Sequence, residues 1–202
     1  MAEPESFARP SRPVIRERLV EAAVQEFVEQ GYDRARVQDI ARRAGLSTGA
    51  IYGNFRNKAE LLAEAVDYGL GAASHKLTQA LGSGAGPADV LALVVTDLSD
   101  PRQQTWAPLV SEALTAARRD AEVARRVHAA LGRVESNLRS LVELAQRSGR
   151  FGPQIDAAAC ARLVLCVSLG MDVLAAVRAQ RPDHGAWRSL VHLLFAQLGA
   201  AE

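Results

Sequence analysis

Aromatic side chains are scarce in this chain: Phe, Tyr and Trp together make up 5% of its 202 residues. A core without rings must be filled by Ala, Leu and Val, a composition that favours helices over sheet. Cysteine is scarcer still, with Cys160 and Cys166 alone, which excludes a disulfide-stapled scaffold. On a helix the two point to different faces and do not pair within it, so both are expected to be free, buried thiols in a reducing compartment. Neither sign of charge dominates, with 24 Lys and Arg against 23 Asp and Glu, and that balance excludes a generic polyanion binder. The four histidines, His75, His128, His184 and His192, are scattered and offer no metal-ligand spacing. No P-loop, GxGxxG, HExxH, CxxC or GxSxG occurs, so no cofactor, metal or catalytic site is expected and an enzyme has nothing positive in its favour. The longest apolar run, Leu163 to Met171, is bounded by Arg162 and Asp172 and is too short to span a bilayer. Acidic and Pro-rich residues open the chain, unlike a secretory leader. These absences leave a soluble, cytoplasmic, all-helical protein without a membrane partner.

What is present is local. From Arg34 to Lys58 there are six basic residues (Arg34, Arg36, Arg42, Arg43, Arg56, Lys58) against one acid, Asp39. The same stretch reads as two short helices joined by a tight turn. Ile40, Ala41 and Ala44 form an apolar stripe at helical spacing. Gly45 supplies the left-handed backbone that stops a helix sharply, and Leu46 plugs the corner. Ser47 is placed to cap the next helix, which carries Thr48, Gly49, Ala50, Tyr52 and Asn54 around a buried Ile51 and Phe55. Small and hydrogen-bonding side chains on a short exposed helix suit the DNA major groove. The competing reading of the same pattern is an ordinary helical hairpin within a core.

Around this hairpin the periodicity predicts further helices. Pro13 opens one that runs to Gln30, with Ile15, Leu19, Ala22, Ala23 and Phe27 on its buried face and Gly31 as its stop. Residues 1–12 before it form a flexible, polar arm in which Arg9 and Arg12 either trail free or follow a DNA backbone. After the hairpin, Asn57 and Glu60 make a capping-box pattern that starts a helix of about 25 residues. That length carries it out of the first three-helix unit and into the next.

Residues 14–62 resemble the N-terminal DNA-binding domain of the TetR/AcrR family of bacterial regulators. The resemblance is carried by Ala22-Ala23, Phe27, Gly31-Tyr32, Val37, Asp39-Ile40-Ala41, Ala44-Gly45-Leu46-Ser47, Gly49-Ala50-Ile51-Tyr52, Asn54-Phe55, Asn57-Lys58 and Leu61-Leu62. It implies a three-helix head in residues 13–58, joined through the long fourth helix to a ligand-binding and dimerisation domain in residues 59–202. It implies a double-stranded operator of inverted-repeat form as partner, a second copy of the chain, and a small, mostly apolar effector that releases a repressor. Tyr52 and Lys58 then match the family's phosphate-contacting residues, and Gln38 a position that reaches the backbone or a base edge. Thr48, Gly49, Ala50 and Asn54 would face bases, with Ser47 beside them. One departure stands out: Ala35-Arg36 replaces the Thr or Ser that normally caps helix two, and Arg36 is free to contact a phosphate instead.

The rest of the chain reads as helices broken at residues 82–87, 100–101 and 149–153. The segment 156–180 is apolar nearly all round, and a helix without a wet face needs cover on every side; a partner subunit supplies it. Trp106, Leu109, Val110, Leu138, Cys166, Leu169 and Gly170 are candidate walls of an effector pocket, with Ser168 and Asp172 as polar anchors. The alternative function is a helical small-molecule-binding or catalytic protein whose helix-turn-helix is only structural.

Overall fold

The computed structural model describes residues 11–100 and 107–199, the side chains of 72–77 apart. Within them nine helices follow one another: α1 (Arg12–Gln30), α2 (Val37–Arg43), α3 (Thr48–Asn54), α4 (Lys58–Gly82), α5 (Pro87–Asp97), α6 (Ala107–Ala117), α7 (Ala121–Arg147), α8 (Ala157–Ala176) and α9 (His184–Gly199). Pro108 lies in the first described turn of α6. The expected arm at residues 1–12 falls largely outside the described residues, but Arg12 belongs to α1.

Two cores hold these helices together. The first is built on Leu19, Phe27, Ile40, Ile51, Phe55, Leu61 and Leu62, and it extends into α6 and α7 through Leu109, Ala113, Val123 and Val127. The second gathers Val90, Leu91, Leu138, Val142, Ala161, Val164 and Val191 from α5, α7, α8 and α9. Helices α4 and α7 run the length of both, since Val66 and Val127 pack in the first while Leu81 and Leu138 pack in the second.

Local chemistry explains the element ends. Gly31 closes α1 at φ 78°, its N–H bonded to the Phe27 carbonyl, and Tyr32 folds back with its ring 5.8 Å from that of Phe27. At the end of α2, Gly45 sits at φ 68°; its N–H bonds the Arg42 carbonyl and the Leu46 N–H bonds that of Ala41. This crossed pair satisfies two carbonyls that a helix end leaves open. The capping box of α4 is half realised. Asn57 accepts from the Glu60 N–H at 2.8 Å, but the Glu60 carboxylate reaches past Asn57 to the N–H of Arg56 at 2.7 Å. That backbone bond, with the Arg56 and Arg126 guanidiniums, holds the Glu60 carboxyl below its ordinary range. Ser47 and Arg36 stand at the N-cap positions of α3 and α2, and neither side chain makes a cap bond. The expectation for Ser47 is therefore corrected: its hydroxyl is exposed and left for solvent.

The turn between α1 and α2 is gripped from two sides. The Lys58 ammonium donates to the carbonyls of Tyr32 (2.6 Å), Asp33 (3.3 Å) and Ala35 (3.2 Å) and lies 4.5 Å from the centre of the Tyr32 ring. Burial here pulls its pKa down. From the other side the Glu112 carboxylate of α6 accepts from the Tyr32 N–H at 2.8 Å. A Cβ at Gly31 would stand 3.3 Å from the same oxygen and crowd it slightly, but it is the positive φ that calls for glycine. Burial and the Asp120 carboxylate push the Tyr32 phenol up to about 12. An exposed Arg119–Asp33 pair at 3.1 Å adds little.

Helix α8 presents two faces. Ala161, Val164 and Leu165 are buried, and Ser168, Asp172 and Ala175 continue their line at steps of three and four. The opposite line, Leu163, Cys166, Gly170, Val173, Leu174 and Val177, is exposed. Cys160 is buried, and burial pushes its thiol up. Cys166 corrects the expectation of two buried thiols, because its position falls on the outward line. The apolar stretch is also longer than Leu163–Met171. Flanking alanines extend α8 to 20 residues, which by length and composition alone would cross a bilayer. Arg162, paired with Glu135 of α7 at 2.7 Å, and the half-buried Asp172 mark it instead as a helix packed in a bundle.

Two outcomes follow from these contacts. Each hydrogen bond to a charged group contributes roughly 1.5–3 kcal/mol, so Lys58→Met and Glu112→Gln should each destabilise the fold by about that much. Both hold one turn, so urea unfolding of the double variant should show a loss smaller than the sum; strict additivity would mean the two grips are independent. Burial raises the Asp172 carboxyl from 3.8 to about 6. The folded chain then takes up this proton at higher pH than the unfolded one, so stability is lost as pH rises through that window. Asp172→Asn should be more stable than the parent at pH 7.5 by on the order of 1 kcal/mol after allowing for partial exposure. In urea titrations across pH, that advantage should vanish toward pH 4.

Candidate nucleic-acid interface

Helix α3 is seven residues long, too short to persist alone. It is held by Ile51 and Phe55 in the first core and by two arginines of α1. Arg12 donates to the Gly53 carbonyl at 3.2 Å and Arg16 to the Asn54 carbonyl at 2.7 Å. Cations at a helix C-terminus satisfy its open carbonyls and complement its dipole. Arg16 is itself fixed by Glu64 at 3.0 Å and lies 4.3 Å from the centre of the Phe55 ring. Neither arginine was singled out for this task by the sequence; their four-residue spacing on α1, above a helix with no basic residue in its last turn, is the signal that could have found them.

This mounting turns one side of α3 outward. Tyr52 is 62% exposed, Ser47, Gly49 and Gly53 are exposed, and Thr48 and Ala50 are half-exposed. Among the described residues the side chains of Thr48 and Tyr52 make no hydrogen bond, and both are available to a partner. Asn54 is not in the same position. Its amide nitrogen donates to the Ala50 carbonyl at 2.7 Å, and its side-chain oxygen is buried without a partner. Gln38 and Arg36 project from α2 beside α3, both exposed.

Most of the positive charge expected here is spent inside the head. Arg43 binds Glu26 at 3.1 Å together with Glu29 of α1, and Arg42 binds Asp39 at 2.7 Å. Arg56 is held by Glu60, Lys58 by the turn carbonyls, and Arg34 by the Gln30 carbonyl. Of the six, Arg36 alone makes no side-chain hydrogen bond or ion pair among the described residues.

The candidate effector walls are not brought together. Trp106 lies outside the described residues. Leu109 is fully buried in the first core and Leu138 in the second. Cys166 and Gly170 lie on the outward line of α8, for the reason of helical phase given above. Val110 is buried on α6, Leu169 packs on the second core, and Ser168 and Asp172 are half-buried on the inner line of α8.

Comparison with known proteins agrees with this anatomy. Residues 19–65 match the family model described as bacterial regulatory proteins, tetR family. The regulator TtgR of Pseudomonas putida is 44% identical over 52 residues, 26% of this chain and 25% of that one. The fatty acid metabolism regulator protein of Bacillus subtilis is 31% identical over 78 residues, 39% of this chain and 40% of that one. The aligned stretches thus span less than half of these curated relatives. The whole fold is shared more widely. A crystal structure of a TetR-family regulator from Rhodococcus sp. superposes with a TM-score of 0.81 at 17% identity, covering 93% of this chain and all of that one. FadR from Bacillus subtilis, solved with stearoyl-CoA, gives 0.70 at 20% identity, covering 92% and 99%. Residues 19–65 are thus a head of the tetR family of bacterial regulatory proteins, and the helical body behind them shares the fold of solved TetR-family regulators.

Proposed function

We propose that the chain is a cytoplasmic, dimeric repressor that binds an inverted-repeat operator and leaves it on binding a small effector. The observation that carries this reading is the outward side of α3, where Thr48, Gly49, Ala50 and Tyr52 are presented on a firmly held helix with their side chains uncommitted. Gly49 and Ala50 permit close approach to base edges, and Thr48 or the Ala50 methyl can meet a thymine methyl. Tyr52, Arg36, Gln38 and Ser47 flank them and suit phosphates. Asn54 braces the helix and reaches DNA only on giving up the Ala50 carbonyl. Lys58 serves through the turn it holds, and contacts a phosphate directly only on releasing one of its carbonyls. A relative matched over 49 residues at 39% identity is named an acrEF/envCD operon repressor of Escherichia coli, which supports repression as the mode.

The dimer is argued from the outward faces of α8 and α9. Leu163 (65%) on α8, Val177 (70%) at its C-cap and Leu193 (64%) on α9 are exposed, and Leu190 and Leu194 share the Leu193 face. Exposed large apolar side chains gathered on one face of a helix support an interface there. A two-fold partner would set two α3 helices on one side of the duplex, about 34–36 Å apart. The structural neighbour bound to stearoyl-CoA supports a ligand-sensing body. Its route to the head runs through α4 and through the Glu112 grip on the α1–α2 turn. A ligand that favours one position of α6 shifts the population of head arrangements.

Gel shifts against DNA selected from a random pool, at two salt concentrations, test the DNA reading. Affinity should fall with a log–log slope of about −0.9 per phosphate contact. Lys58→Ala should weaken all sequences alike, while substitutions at Thr48 or Ala50 should re-rank them by about 1–3 kcal/mol per base pair. No preference for any sequence in the pool would sink the reading. For the dimer, Val177→Glu with Leu193→Glu should give monomers by analytical ultracentrifugation and cut operator affinity at least about a hundredfold, the loss of bivalent binding. A variant that stays dimeric would refute the assigned interface.

A further inference from the structure

Contacts of two kinds place α3. Ile51 and Phe55 press it into the first core, but burial of apolar surface has no direction and sets no unique angle. Direction must come from the polar groups at the helix ends. The start contributes none, because Ser47 makes no cap bond. At its end a helix leaves its last four carbonyls open. Here the Ile51 carbonyl accepts the Phe55 N–H at 2.7 Å, a bond that stays within the element. The carbonyls of Gly53 and Asn54 accept from Arg12 and Arg16 of α1. Arg12 makes its 3.2 Å bond at an exposed site, and its side chain has no other hydrogen bond or ion pair among the described residues.

Arg16 is tied on three sides. Its Nε and Nη2 meet the two carboxylate oxygens of Glu64 at 3.0 Å each. Its Nη1 donates to the Asn54 carbonyl at 2.7 Å, and its guanidinium carbon lies over the Phe55 ring, 4.3 Å from the centre. Two parallel bonds from a guanidinium to a carboxylate fix an angle as well as a distance. That geometry sets the pair apart from ordinary surface ion pairs, which contribute little. Lysine, a point charge on a flexible stem, does not reproduce the fork. Glu64 belongs to α4, which packs in the first core through Val66 and in the second through Leu81. A relay thus leads from the helix shared by head and body, through one guanidinium, to the open end of α3.

We propose that Glu64 and Arg16 are positioning residues for DNA reading: through the Asn54 carbonyl they set the angle at which α3 presents Thr48, Gly49, Ala50 and Tyr52, and so govern the choice between operator and other DNA. Bonds to base edges weaken steeply when donor and acceptor are misaligned, whereas phosphate contacts carry no sequence information. A change of angle therefore costs discrimination before it costs affinity for DNA at large. The expected sign is the opposite of simple electrostatics. Removing the Glu64 charge makes the chain more positive and by charge alone tightens binding to every duplex; through the relay it loosens the operator. The role in discrimination rests on the DNA-binding function proposed above, while the relay is a property of the head itself.

The test compares the full chain on its selected operator and on a mixed-sequence duplex over a salt series, with hydrogen exchange read by mass spectrometry on the free protein. Glu64→Gln should weaken operator binding on the order of tenfold, about threefold for each of two heads, the contribution of one well-formed exposed ion pair. Binding to the mixed duplex should stay level or tighten, and the salt slope should not change. Arg16→Lys keeps the charge but not the fork and should show the same split. The double variant should be no weaker than the worse single one, since both break one relay. In each variant the amides in the last turn of α3 should exchange about threefold faster, with those of α4 unchanged. Circular dichroism confirms that the variants are folded. Equal losses on both duplexes, or α3 exchange that does not move, would overturn the proposal. A parent chain that prefers no sequence overturns the DNA-binding function and the assignment with it; a parent that prefers its operator, with variants that prefer it as strongly, overturns the assignment alone.

Discussion

Everything in the head hangs on how the chain turns between α1 and α2. Three carbonyls there would otherwise lie open, and one ammonium, Lys58, collects them. The cost of drawing that charge into a half-buried place is offset by three charge-assisted bonds and by the Tyr32 ring beneath it. With the turn held, the chain is led toward α2 from a set direction, and α3 is set against α1 by Arg12 and Arg16. The outward side of α3 is thus defined by contacts made on its other sides.

The same turn joins head and body. Glu112 reaches it from α6, and Glu60 at the start of α4 is approached by Arg126 of α7 at 3.9 Å. The first core includes α6 and the first half of α7, so the head is not a detachable module on a stalk. A motion of α6 meets the α1–α2 turn directly, as well as through α4. This arrangement gives a physical form to coupling between distant sites, because one packed element is shared by both.

Much of this was legible from residues alone. Hydrophobic periodicity located the helices, and glycine marked the stops at Gly31 and Gly45, both of which adopt positive φ. The empty cap at Ala35-Arg36 was also visible, and the structure leaves it empty. What sequence spacing could not show was pairing across helices. A count of basic residues from 34 to 58 suggested a positive surface, yet Glu26 and Glu29 lie far enough back in the chain to escape a local count, and they bind Arg43. Lys58 was read by its position in a motif, whereas its reach to three carbonyls over 20 residues away depends on tertiary geometry. Cys166 and Gly170 were read as wall residues because their helix is apolar. Only the covered line of α8 tells which of its faces is the inner one.

The two uncapped helix starts have a kinetic side. Neither α2 nor α3 has a side chain to hold its first turn, while α4 has Asn57 and α7 has Asp120 for the same purpose. Local opening is therefore cheapest at the beginning of the two elements that face outward, and amide hydrogens there exchange through brief fraying rather than through loss of the whole fold. A phosphate oxygen seated against such a start would supply the missing acceptor. The head would then stiffen at the moment of contact, so part of the free energy of association is drawn into ordering the two turns. Held at their far ends, these two helices would gain at their near ones whatever order a partner supplied.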